Sequence, residues 1–468
     1  MAEEDTHAAP AHSGRGLWIA IAVVIIVVVV VVAAIFAGPL LFPGEPKPVI
    51  GTILPITGQL AVFGPGMARA ANLAVFHIND NGGVLGGQDI RLIQEDSQTQ
   101  ASAGVLAARK LIDLDGAVAI IGAAASRVST PINEGVTTPG RIIMISPAST
   151  SPAFTAFNAD LDLEDRYFFR TAPTDILQGA AGALYAYNDR GWRNMAILAR
   201  ADPYGTGLAS VFEEKFVELG GTITVRVDYN PDATSYTSEL AQIFNSNPEA
   251  IYWVAFPGEG EIIMKNWWAN TDWRGPAWFW SEGTKAQAFL DTLNLLGIDV
   301  SGMEGTAPTT ASGAADNFKV FSALYKADTA VDVVLFEPHT YDAVFLVALA
   351  MERGGSARPE VIRDNLQAVA APPGTVVTVN EWQKARDLIA AGTEINYQGA
   401  SGFADFDDLG DVTGDYEVWV IDPDFTFGHV KNITEQEILG SPPLMVSSVP
   451  ALPTGLFILP SYQLAARD

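Results

Sequence analysis

The chain contains no cysteine in its 468 residues. Disulfide staples, Cys-ligated zinc or iron–sulfur centres and a thiol nucleophile are therefore excluded. Bases are scarce as well: 27 Lys plus Arg stand against 54 Asp plus Glu, a formal charge of −27. A phosphate backbone is bound by neutralising its charge, and no dense basic stripe interrupts this acidic chain, so no nucleic acid is expected as a partner. The acid excess reads as a solubility device rather than as a specific cation site.

The motifs of common catalysts are missing too. No G-x-S-x-G, Walker P-loop, H-E-x-x-H or G-x-G-x-x-G occurs, and Gly64-Pro65-Gly66 and Gly205-Thr206-Gly207 lack the third glycine. There are five histidines, His7, His12, His77, His339 and His429. No catalytic residue, metal or cofactor is expected. Residues 405–411 (DFDDLGD) imitate the start of a calcium loop, but Leu409 stands at the fifth ligand place and Tyr416 at the twelfth, where a bidentate Glu is required. An acidic turn is the expectation there.

One long hydrophobic run is present. Residues 17–37, LWIAIAVVIIVVVVVVAAIFA, hold 21 positions without a charge, Gly or Pro. At about 1.5 Å per residue such a helix spans roughly 30 Å, the thickness of a bilayer's hydrocarbon core. It reads as a transmembrane helix. A cleaved signal peptide fits less well, because its apolar region runs about 7–15 residues behind a positive start, whereas this tail carries Glu3, Glu4 and Asp5 against Arg15. A 16-residue tail on one side and a large domain on the other suit a signal anchor. The expectation is a single-pass cell-membrane protein with its large domain on the extracellular or periplasmic side. Lacking cysteine, the chain also lacks the acylated anchor of a lipoprotein, which leaves the helix as its tether. Residues 38–48 (GPLLFPGEPKP) carry four prolines and read as a stiff extended spacer.

From residue 49 onward short apolar runs alternate with helical periodicity. VIGTILPI at 49–56 reads as a buried strand, and Met67, Ala70, Ala71, Ala74, Val75 and Ile78 line one helix face that closes at Asn81-Gly82-Gly83. Strands follow near 90–93, 117–121 and 142–145. A second series of helices and strands runs from about 173 to 280, and helices return at 318–326, 341–352 and 359–369. Strands separated by helices need crossover connections, so the sheets are parallel with helices on both faces. The expected fold class is α/β, with two doubly wound parallel-sheet lobes. Residues 403–407 and 416–421 are expected to pair as a hairpin around Asp408-Leu409-Gly410-Asp411.

Open parallel sheets bind ligands beyond the carboxyl ends of their strands. Three loops stand there. The strand at 117–121 runs into Gly122-Ala123-Ala124-Ala125-Ser126, and that at 142–145 into SPASTSP at 146–152. Small side chains let backbone N–H groups approach an anion, and Ser and Thr add hydroxyl donors, an arrangement suited to a carboxylate. Ordinary capping and turn chemistry selects the same residues. The third loop, Ser281-Glu282-Gly283, follows Trp278-Phe279-Trp280 and offers a carboxylate that would meet an ammonium group.

At these residues the chain resembles the branched-chain amino-acid binding proteins of ABC transporters, the type I periplasmic binding protein family. The resemblance runs from about residue 48 to 423 through IGTILPITGQLAVFGPGMARAANLAV, INDNGGVLGG, EDSQT, ISPASTSPAFT, YFFRTAPTDILQG, DPYGTGLA and YQGASGFADFDDLGDVTGDYEVW. It implies two lobes joined by crossing strands with an amino acid caught in the cleft, and a permease as partner. Ala148 with Thr150, together with Ala124 and Ser126, would hold the ligand's α-carboxylate; Glu282 would pair with its α-ammonium. Phe63, Tyr204 and Phe256 would wall the side-chain pocket. Phe256 stands where such receptors commonly have Tyr, which makes the pocket more apolar. The implied layout is a cytoplasmic tail at 1–16, the membrane helix at 17–37, the spacer at 38–48, one lobe from 49–170 and 309–400, the other from 171–308 and 401–430, and a tail at 431–468. Capture and delivery of an aliphatic amino acid is the first functional expectation. A sensory receptor for amino acids or small amides, signalling through a partner protein, is the second.

Overall fold

The computed structural model describes residues 47–309 and 315–440. The apolar run at 17–37 and most of the spacer lie outside the described residues, as does 441–468. Among the described residues no helix is long and apolar enough to cross a membrane.

The first sheet is built from β1 (Val49–Leu54), β2 (Arg91–Asp96), β3 (Ala117–Gly122), β4 (Ile143–Ser146) and β5 (Phe168–Arg170), all parallel, in the order β2-β1-β3-β4-β5. Strand side chains alternate between faces. Ala119 and Ile121 accordingly join one core with Ile50, Ile143, Ile145 and the helix Glu337–Gly354. Ile120 joins the other, with Ile53, Met144, Val128 and Ile132. Both faces are therefore covered by helices, which is why β1 is apolar at consecutive positions and buried throughout.

The second sheet contains β6 (Asn194–Arg200), β7 (Thr222–Tyr229), β8 (Ala250–Val254), β9 (Ala277–Trp280) and β10 (Glu304–Pro308), mutually parallel in the order β10-β9-β8-β6-β7. A separate two-stranded sheet joins β11 (Thr375–Val377) to β12 (Ile395–Tyr397). The antiparallel strands β13 (Tyr416–Ile421) and β14 (Phe427–Ile433) then extend the second sheet beyond β10. The chain passes between the lobes after β5, after β10 and before β13.

The expected hairpin does not form in the expected register. Tyr416–Ile421 pairs with Phe427–Ile433, not with 403–407. Ala404, Phe406 and Val412 instead sink into the first lobe's core, and the acidic turn between them is consumed by internal bonds. Asp407 accepts from the N–H groups of Leu409 and Asp411 at 2.8 and 2.9 Å, and Asp411 is salt-bridged to Arg170 at 2.7 Å. This segment from 404 to 412 lies with the first lobe, and β14 with the helix Glu435–Leu439 continues the chain past 430.

Candidate ligand-binding site

Two glycines let the first lobe's loops come close to β1. A Cβ on Gly64 would stand 2.0 Å from the Pro55 carbonyl oxygen, in the turn that carries Phe63. Gly122, at φ +132°, would place one 2.3 Å from the Ile53 carbonyl oxygen. That conformation suits only glycine, and it aims Ala123–Ser126 across the end of the sheet.

The loops after β3 and β4 are knitted together by short hydroxyl side chains. Ser146 Oγ donates to the Ala123 carbonyl at 2.6 Å, Ser149 Oγ lies within 3.0 and 3.1 Å of the Ala123 and Ala124 carbonyls, and Ser126 Oγ accepts from the Ser151 N–H at 3.4 Å. Ala148 N–H donates to Ser146 Oγ at 3.3 Å. The expected carboxylate-binding residues Ala124, Ser126, Ala148 and Thr150 thus form one contiguous rim. Arg170 supports it from beneath, donating to the carbonyls of Ser149 and Ser151 at 3.3 and 2.9 Å.

The second lobe brings the other half. Asp202 caps the helix Pro203–Glu218, accepting from Gly205 N–H at 3.0 Å, and so places Tyr204 in its first turn. Tyr204 stacks on Phe256 with centroids 5.2 Å apart, and the Arg200 guanidinium carbon lies 3.6 Å from the Phe256 ring centre. The short helix Glu282–Thr284 packs on these rings, since a Cβ on Gly283 would lie 3.0 Å from Phe256 Cδ1 and 3.1 Å from the Tyr204 oxygen. Phe63, from the first lobe, meets Phe336 edge-on at 6.2 Å. Phe63, Tyr204, Phe256 and Phe336 belong to one apolar cluster that runs through both lobes.

Glu282 is buried at the edge of this aromatic group. Its Oε2 accepts from Gln178 Nε2 at 2.5 Å, and no described residue forms an ion pair with it. Burial pushes its carboxyl up to about 7, against the pull of hydrogen bonds from Tyr204, Gln178 and nearby backbone. A second carboxylate stands nearby. Asp175, at the start of the helix Asp175–Leu184, accepts from Thr150 Oγ1 at 2.9 Å. Burial, reinforced by the charge of Glu282, holds it well above the usual carboxylate range. The phenols of Tyr204, Tyr252 and Tyr416 are pushed upward by burial and then by these two acids. Two buried carboxyls thus stand opposite a rim of hydroxyls and backbone amides.

Sequence reasoning selected Glu282 but missed Asp175, Gln178 and Arg170. The signal was present in TAPTDILQG, where Asp and Gln three residues apart share one face of an otherwise apolar helix. What hid it was the abundance of acids: nothing local marks the one that is buried.

The lobes touch across the mouth of the cleft. Gln59 donates to the Pro231 carbonyl at 2.7 Å, and its own carbonyl accepts from Gly258 N–H at 3.2 Å. Arg200 Nη2 reaches Gln59 Oε1 at 3.2 Å, Ser151 Oγ donates to the Pro203 carbonyl at 2.6 Å, and Arg127 pairs with Asp232 at 3.4 Å. Among the described residues no group of acids and histidines is arranged to hold a metal ion.

Comparison with known proteins bears on the family and the fold. A family described as periplasmic binding protein matches residues 48–385. The chain is 26% identical over 388 residues to the chemotactic signal transduction system substrate-binding protein BasB of Halobacterium salinarum, covering 77% of this chain and 84% of that protein. It is 30% identical over 217 residues to Leu/Ile/Val-binding protein homolog 2 of Brucella abortus, covering 46% of this chain and 56% of that one. A crystal structure of the leucine binding protein LivK from Thermotoga maritima superposes with a TM-score of 0.69 at 24% identity, over 83% of this chain and 99% of the other. Two α/β lobes, matched by that family over residues 48–385, place this chain among the periplasmic binding proteins.

Proposed function

We propose that this protein is a membrane-anchored, extracytoplasmic receptor that captures an amino acid with an aliphatic side chain and delivers it to the permease of an ABC importer. The observation that carries this reading is Glu282: a buried carboxylate, raised to about 7, with neutral hydrogen-bond partners and a rim of small hydroxyl residues opposite. An ammonium group supplies the charge that such an anion lacks, and the aromatic walls suit an apolar side chain. The apolar run at 17–37 serves as the anchor. The Leu/Ile/Val-binding names of relatives support the ligand class. A sensory role, with closure read by a partner protein, is the second reading, favoured by the similarity to the chemotactic protein of Halobacterium salinarum.

Thermal melting of the full chain against all amino acids, small amides and urea tests the ligand class. A ligand at about 100 times its dissociation constant stabilises the fold by roughly 2.7 kcal/mol. L-Leucine, L-isoleucine or L-valine is expected to raise the melting temperature; stabilisation solely by compounds without an α-ammonium rejects the amino-acid reading.

The cross-cleft bonds make a kinetic prediction. Each net hydrogen bond is worth about 1 kcal/mol, and Gln59 joins four of them, one more from its Nε2 to Asp232 Oδ1 at 3.3 Å. Gln59→Ala removes the three side-chain bonds, so it is expected to raise the dissociation rate of the bound amino acid by about tenfold or more, with little change in association. Stopped-flow displacement reads this directly, and an unaltered release rate removes Gln59 from the closure contacts.

A further inference from the structure

One buried cation touches both the aromatic wall and the opposite lobe. Arg200 ends β6 and has no exposed surface. Its guanidinium donates in three directions: Nε to Asp202 Oδ2 at 2.6 Å, Nη1 to Glu259 Oε1 at 2.6 Å, and Nη2 across the cleft to Gln59 Oε1 at 3.2 Å. Its flat face covers Phe256, with the central carbon 3.6 Å from the ring centre. Lysine could not do all of this, because an ammonium is a point charge without a plane or a fixed fork of donors.

The two acids that hold Arg200 also hold the backbone beside the two rings. Asp202 Oδ1 accepts from Gly205 N–H at 3.0 Å, next to Tyr204, and Glu259 Oε1 accepts from the N–H of Phe256 itself at 2.8 Å. Tyr204 stacks on Phe256 at an interplanar angle of 14°. A guanidinium 3.6 Å over a ring centre leaves no room on that face for a second, near-parallel ring, so Phe256 is gripped between Arg200 and Tyr204. Phe256 cannot shift to admit a bulkier side chain without disturbing the guanidinium. The ion pairs with Asp202 and Glu259 restrain that movement from within the second lobe. Gln59, on the turn between β1 and Phe63, restrains it from the first lobe, through a bond that exists only with the lobes together.

We propose that Arg200 is a positioning residue that sets the size limit of the side-chain pocket through closure of the cleft. The inference rests on the amino-acid reading of the site. A ligand side chain that fits leaves Phe256 gripped and Gln59 bonded, and the lobes stay shut. One that is too bulky pushes Phe256 outward, the guanidinium moves with it, and the Arg200–Gln59 bond between the lobes is lost. Ligand size is thus read as stability of the closed form, and selectivity appears in the release rate more than in association. Arg200 itself need not touch the ligand.

Titration calorimetry of the full chain, as wild type, Arg200→Lys and Gln59→Ala, tests this with two ligands: the tightest binder among L-leucine, L-isoleucine and L-valine, and L-phenylalanine. The readout is the ratio of the two affinities, which a merely structural role would leave unchanged. Arg200→Lys keeps a positive charge for Asp202 and Glu259 but releases the ring, and is expected to cut the preference for the aliphatic ligand about tenfold. Gln59→Ala, at a half-buried position, is expected to cut the preference about threefold or more, because the bulkier ligand has already broken the bond that the variant removes. If Arg200→Lys does not fold, Gln59→Ala decides alone. An unchanged ratio in either folded variant overturns the proposal and leaves the amino-acid reading intact. So does a wild type that binds phenylalanine as tightly as the aliphatic ligand. Failure of the wild type to bind any of the three aliphatic amino acids overturns both.

Discussion

Glu282→Gln is expected to weaken binding of an α-amino acid by at least 100-fold without unfolding the protein. Removing one member of a buried charge pair leaves the other uncompensated, at about 3–5 kcal/mol, which corresponds to roughly 10²–10³-fold in affinity. The side chain is enclosed, its hydrogen-bond partner Gln178 and its neighbours Tyr204 and Ser281 are neutral, and the other acid nearby, Asp175, is bonded to Thr150 instead. Glutamine keeps the shape and still accepts from Gln178. Stability should move the other way. The carboxyl rests at about 7 in the folded chain against an ordinary 4.5, so the folded state binds the proton more tightly and wild-type stability falls as pH rises between those values. The variant carries no such penalty and should melt above the unliganded wild type at pH 8, with the gap closing near pH 4.5. Calorimetric affinity and melting curves at both pH values check the two halves. An affinity within threefold of wild type removes Glu282 from the ligand site.

Arg170→Met should damage the fold instead of a single contact. The guanidinium is fully enclosed and donates to Asp411 Oδ1 at 2.7 Å, to Thr155 Oγ1 at 2.7 Å and to the carbonyls of Ser149 and Ser151. Methionine fills much of the space but strands Asp411 as a buried anion and frees two carbonyls of the ligand-facing loop. A loss of about 3–5 kcal/mol in unfolding free energy is expected. Adding Asp411→Leu should recover a large part of it, because an ion pair replaced whole by apolar groups costs little. Ligand affinity should stay low in the double variant, since the Ser149–Ser151 loop loses its support either way. Denaturant unfolding and calorimetry on the four proteins separate these effects; equal stability of the single and double variants would sink the pairing argument.

Much of this architecture was legible locally. β1, β3, β4, β6 and β8 appear as short apolar runs because both faces of their sheets are covered, and each is followed by a run with helical spacing. The loop residues Ala124, Ser126, Ala148, Thr150 and Glu282 stood out because strand ends are where an open sheet offers its backbone. β14 was not legible: FGHVKNI is an edge strand, half exposed, with no apolar alternation to announce it. Its absence from the pattern led Tyr416–Ile421 to be paired with the wrong neighbour.

What the sequence by itself determined is the alternation of strand and helix, the apolar run at 17–37 and the position of the small-residue loops, since each depends on residues near one another in the chain. Which of 54 acids would be buried was settled only by the fold. Asp175 and Glu282, and likewise Arg170 and Asp411, are far apart in sequence, and their energies depend on how much water the surrounding lobes exclude. Dielectric environment is a property of the packed structure, and it is what sets these two buried carboxyls apart from the solvated ones.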